Sequence, residues 1–166
     1  FYGFATLQWG ARGISGPAIG ALWALGVVAE VLLFAFSGRL TGALGPTRMI
    51  VLGGVGGVFR WGAMALDPPT AALSVLQCLH ALTFAATHLG AMHFMAQAVP
   101  AGRGATAQGD FVAVQGIVSA GAMSLAGVLV ADFGSLAYAA MAAAAGLGTL
   151  LAAAAFAGMR SRPGSG

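Results

Sequence analysis

An all-α, polytopic membrane protein is the fold class that this sequence predicts, and three observations carry the prediction. Charged residues are 7% of the chain and hydrophobic residues 59%, with a mean hydropathy of +0.91. A water-soluble domain is about 25% charged, so this composition belongs in lipid. Several apolar stretches are long enough to cross a bilayer, which excludes a single signal peptide or a lone anchor. The basic residues are all arginine, and all but Arg60 fall in the short connections between those stretches or in the tail.

In chain order, residues 1–9 read as the end of a helix already in progress, and a chain opening on Phe1 in mid-span is expected to lack an N-terminal part. Gly10 to Gly16 form a polar turn, where Ser15 can cap a helix with Pro17 in its first turn. That helix is expected over 17–36 and contains Glu30. Ser37 to Arg48 reads as a loop, because Arg39, Arg48, Gly45 and Pro46 interrupt the apolar run. A glycine-rich span over 49–65 holds Arg60, and Leu66 to Pro69 is a tight turn with a double proline. The longest span is 70–98; spans over 106–131 and 136–159 follow, with Arg103 in the first connection and Asp132 in the second. Arg160, Arg162 and Pro163 mark a short tail.

The loops also give an orientation. Arg39, Arg48, Arg103, Arg160 and Arg162 fall on one side, and Arg12, Asp67 and Asp132 on the other. An excess of arginine marks the cytoplasmic face, so the C-terminus is expected in the cytoplasm of a cell membrane, a bacterial inner membrane by this reading. The formal charge of +3 shows no basic stripe and points away from nucleic acid. Cys78, the single cysteine, reads as a small buried hydrophobe.

Within 70–98 the polar residues are not scattered. At about 100° per residue, Gln77, His80 and His88 share one helical stripe with Phe84 between them, the wall of a polar path. Thr83 accompanies His80, while His93 falls elsewhere and reads as interfacial. Glu30 and Arg60 are buried near mid-depth of their spans, where a lone charge costs at least about 2.5–3.5 kcal/mol. They are therefore expected near each other or in one wet cavity. Gly53, Gly56 and Gly57 lie on the Arg60 face and would admit a neighbouring helix closely. The plain alternatives are a structural ion pair for Glu30 and Arg60 and a satisfied core imidazole for each histidine. No His, Cys or carboxylate cluster converges as a metal site, and no cofactor is implied. Gly13-Ile14-Ser15-Gly16 matches a short intramembrane-protease pattern, but no histidine is placed to serve Ser15, so an enzyme is not expected.

The run Leu22 to Val31, the triplet Arg60-Trp61-Gly62 and the stretch from Leu76 through Leu79-His80 to His88-Leu89 resemble the C-terminal half of a major facilitator superfamily permease. The likeness is to the 3-phenylpropionate permease group, with the lactose permease class more distant. The 37–48 loop is similar to the superfamily's cytoplasmic loop motif at Gly38, Arg39, Leu40 and Gly45, while Gly42 and Ala43 replace its acidic and basic pair. The resemblance implies a C-terminal six-helix bundle with its first helix truncated, and an N-terminal six-helix half of the same protein as its partner. In lactose-type symporters an arginine and a histidine at the positions of Arg60 and His80 take part in proton coupling. The acid that accompanies them is Thr83 here, which leaves Glu30 as the candidate carrier. The expected function is alternating-access transport of a small organic solute, an aromatic carboxylate by this likeness, in symport with protons. Glu30, Arg60 and His80 would couple; Trp23, Gln77, Thr83, Phe84 and His88 would line the path. The alternative is a membrane solute sensor or scaffold that keeps the permease fold without transport.

Overall fold

The computed structural model describes residues 1–160, and the expected tail residues Arg162 and Pro163 lie outside the described residues. Every regular element among the described residues is helical. The chain forms α1 (Ala5–Ala11), α2 (Gly16–Ala35), α3 (Ser37–Ala65), α4 (Thr70–Cys78), a π-helical turn (Ala81–Ala86), α5 (Thr87–Ala98), α6 (Gly104–Phe133), a 3-10 turn (Gly134–Leu136) and α7 (Ala137–Arg160). Four stretches are long and apolar enough to cross a membrane: Gly16–Ala35, Ser37–Ala65, Thr70–Ala98 and Gly104–Met159. The last of these contains both α6 and α7.

Ser15 stands at the N-cap of α2 in an extended conformation, with Pro17 in the first turn, although its hydroxyl makes no cap bond. The expected loop 37–48 is corrected: it is helical except at Gly45, whose φ of 72° and ψ of 165° break the helix before Pro46. Arg39, Arg48, Gly45 and Pro46 suggested a loop, but the two arginines do not obstruct helix formation. Thr41 even returns its hydroxyl to the Ser37 carbonyl at 2.8 Å. Only the left-handed glycine followed by a residue lacking an N–H interrupts the ladder. The turn into α4 holds Asp67 at φ 51°, a conformation Asp tolerates better than bulky residues. Arg12 fastens it with an ion pair of 3.0 Å and a 2.7 Å hydrogen bond to the Pro68 carbonyl.

Helix α3 is the centre of the bundle and packs most extensively on α7 and on the 81–98 part of the long span. Glycine makes that approach possible. A Cβ on Gly53 would collide with the Thr87 hydroxyl and stand 2.8 Å from the Leu82 carbonyl, and one on Gly56 would lie 3.2 Å from Leu82 Cβ. Without a side chain at these positions, dispersion contacts form over the whole crossing, which is the main attraction between helices in lipid. At the Asp67 end the core gathers Trp9, Ile19, Leu22, Met64, Leu73, Leu76 and Tyr138. Helix α6 buries no residue within the described structure, and Val112, Val114, Val118, Val128, Ile117 and Leu125 are exposed as on a lipid-facing surface.

Candidate functional site

Arg60 is held by three elements and is 1% exposed. From α3 its Nη2 donates to Gln77 Oε1 at 2.7 Å, and its Nη1 donates to Thr83 Oγ1 at 3.0 Å. The same Nη1 lies 3.3 Å from His80 Nδ1. Two adjacent rings lie close to the guanidinium, Phe1 with its centroid 4.8 Å away and Trp61 with its centroid 4.4 Å away. Both are within cation–π range, so the charge meets acceptors at its edge and two neighbouring aromatic rings. Its Nε is buried without a partner.

The long span supplies the acceptors through its spacing. Gln77, at the end of α4, accepts from Arg60 and sends its own Nε2 to the Leu22 carbonyl of α2 at 3.2 Å. Thr83 sits in the π-helical turn, donating its hydroxyl to the His80 carbonyl at 3.2 Å while accepting from Arg60. A π turn leaves backbone carbonyls less well served than an α turn, and such turns recur where side chains converge on a site. His80 stands ten residues past Thr70, about 15 Å into its span and near mid-bilayer.

His80 connects the two charges. Its Nε2 lies 3.4 Å from Glu30 Oε2 and 3.1 Å from the Tyr2 hydroxyl. A guanidinium has only donors, so the Nδ1 facing Arg60 must carry the lone pair in the neutral ring. The ring proton then sits on Nε2, pointing at Glu30 and Tyr2. The expected proximity of Glu30 and Arg60 takes the form of a bridge, Glu30–His80–Arg60, with the His80 ring packed against α2 at Gly26, where a Cβ would stand 3.7 Å from it in ordinary van der Waals contact.

The remaining anticipated residues extend from this cluster. Phe84 stacks between His80 and His88, with centroids 5.6 and 5.9 Å away, and is 39% exposed. His88 is half-buried, and His93 is exposed. Trp23 stacks on Tyr2 at 5.6 Å and donates its indole N–H to Thr6 at 3.0 Å. The residues not anticipated are Phe1, Tyr2, Trp61, Gln8 and Tyr138. Tyr138 donates its hydroxyl to Gln8 Oε1 at 2.6 Å and stacks on Trp61, so it backs the arginine pocket from α7. Trp61 had a signal, since it adjoins Arg60 in sequence; the others are uncharged aromatics or amides in apolar runs and carry none. No group of three or more His, Cys, Asp or Glu among the described residues is placed to hold a metal ion.

A 96-residue stretch, 58% of this chain, is 43% identical to the "Probable 3-phenylpropionic acid transporter" of Escherichia coli (strain K12). The match spans 25% of that relative's length. No solved structure matches the chain. The model of the MFS_1 like family matches residues 1–139, and the chain, an all-helical multi-pass membrane protein, belongs to that family.

Proposed function

We propose that this chain forms the C-terminal half of a proton-coupled secondary transporter for a small aromatic carboxylate. The buried bridge from Glu30 through His80 to Arg60 is the observation that carries the proposal. Family membership and the similarity to a protein named for 3-phenylpropionic acid transport support it. The excess of Arg39, Arg48 and Arg103 over Arg12 supports a cytoplasmic C-terminus in a bacterial inner membrane.

The chemistry follows from donor and acceptor counting. In the resting arrangement the Nε2 proton of His80 faces an ionised Glu30, and Nδ1 accepts from Arg60. A proton arriving on Glu30 Oε2 makes it a donor facing another donor. The contact is restored when the imidazole changes tautomer, so that Nε2 accepts from the carboxylic acid. Nδ1 then carries a proton toward Arg60 Nη1, two donors oppose each other, and the guanidinium is released from the ring. The freed Nη1 is placed for a carboxylate of the solute, a stronger acceptor than imidazole. Gln77, Thr83 and the two rings keep the cation in place meanwhile. Trp23, Phe84 and His88 supply flat apolar surface for the solute's ring. Release of Arg60 from the His80 ring loosens α3 from the long span, the step that alternating access requires.

The test is uptake of labelled 3-phenylpropionate by the full-length protein in proteoliposomes, with and without an inward proton gradient. Gradient-driven accumulation is expected for the native protein and its loss in Glu30→Gln, with counterflow retained. An unchanged rate in Glu30→Gln removes Glu30 from coupling. Equilibrium solute binding without counterflow would instead identify a sensor.

A further inference from the structure

At the end of α3 remote from Arg12 and Asp67 lies a groove with a different chemistry. Past the break at Gly45, helical spacing places Thr47, Arg48, Val51 and Val55 on one face of α3. Ala153 and Phe156 of α7 form the opposite wall, and the groove encloses about 510 Å³. The alanine leaves a gap that Phe156 does not fill. Arg48 is exposed, and it makes no hydrogen bond or ion pair with another described residue. No carboxylate among the described residues lines the groove. Arg48 stands 17 residues before Ala65, the last residue of α3. That is about 26 Å of helix, close to the hydrocarbon thickness of a bilayer. An unpaired cation therefore sits at headgroup depth, above an apolar trough that runs about 10 Å from Arg48 to Val55 toward the bilayer centre.

We propose that this groove holds one anionic phospholipid. Its phosphate meets the Arg48 guanidinium and the Thr47 hydroxyl, and one acyl chain lies along Val51, Val55 and Phe156. Charge complementarity selects the lipid class. A zwitterionic headgroup would bring its own ammonium to a rim that offers a cation and no carboxylate, whereas an anionic headgroup leaves the phosphate charge to Arg48. Trough and cation together match an amphiphile of the opposite polarity, which neither a free phosphate nor a hydrocarbon alone would satisfy.

The experiment is native mass spectrometry of the full-length protein released from micelles containing dioleoylphosphatidylglycerol or dioleoylphosphatidylcholine. Preferential retention of one phosphatidylglycerol is expected. Arg48→Ala is expected to lower it about fivefold, the factor that one basic residue supplies at an anionic surface. Ala153→Trp, which fills the trough and keeps Arg48, is expected to lower it as much. Arg39→Ala serves as the control, since Arg39 is exposed and stacks over Phe36, 6.0 Å from its ring centre, outside the groove. Equal loss in Arg39→Ala, equal retention of phosphatidylcholine, full retention in Ala153→Trp or a dimer mass in place of bound lipid would each overturn the assignment.

Discussion

Replacing Gln77 with leucine removes two polar contacts from the middle of the bundle and leaves volume nearly unchanged. The first is the 2.7 Å hydrogen bond from Arg60 Nη2, charge-assisted and buried, of a kind that contributes about 1.5–3 kcal/mol. The second is the 3.2 Å bond to the Leu22 carbonyl, an interhelical bond of a type averaging about 0.6 kcal/mol in membranes. The loss is limited because Arg60 keeps Thr83 and the faces of Phe1 and Trp61. Gln77→Leu is therefore expected to destabilise the protein by about 2–3 kcal/mol, read as a shift in reversible unfolding by SDS in mixed micelles. Gln77→Glu keeps an acceptor in place and adds a negative charge beside the guanidinium. It is expected to preserve stability while stopping transport, since Arg60 would stay paired. A change below about 0.5 kcal/mol in Gln77→Leu, the range of an ordinary surface substitution, would refute the view that the amide holds the guanidinium.

Four further outcomes follow from the same structure. Glu30→Gln is expected to lower gradient-driven accumulation by at least about tenfold and to flatten its pH dependence, with counterflow kept; parallel assays at several pH values check this. Arg12→Ala should cost less than about 1 kcal/mol despite the 3.0 Å pair with Asp67, because both side chains are solvent-accessible, and the cost should shrink in high salt. Gly53→Ala forces a methyl against Thr87 and the Leu82 carbonyl, so about 1–3 kcal/mol should be lost, with only partial rescue by Thr87→Ala because the carbonyl remains. Tyr138→Phe leaves Gln8 Oε1 without its 2.6 Å donor, and a melting experiment should register about 1–2 kcal/mol.

The membrane class and the placing of long apolar helices were legible because composition and run length decide them without tertiary information. Arg60, Glu30, Gln77 and His80 could be singled out for the same reason: a polar residue inside an apolar run must find a partner. The bridge through His80 could not be read from the sequence, since it depends on how closely α2 lies against the long span, and Gly26 is one glycine among 27. Tyr2 and Tyr138 were hidden because an aromatic in a hydrophobic helix is equally at home facing lipid. The 37–48 stretch was misread because two arginines together with Gly45 and Pro46 were taken to end the helix over the whole stretch, when the backbone departs from helix only at Gly45.

The wide turn at Ala81–Ala86 lets the long span carry one residue more than ordinary helical winding would need. Deleting one residue there would tighten it to an ordinary turn with little change in the reach of the rod or in the direction its two halves face. A surplus residue in the middle of a rod is thus absorbed where it stands, and its consequence falls on Thr83 and its hold on Arg60 rather than on Gln77 or Thr87.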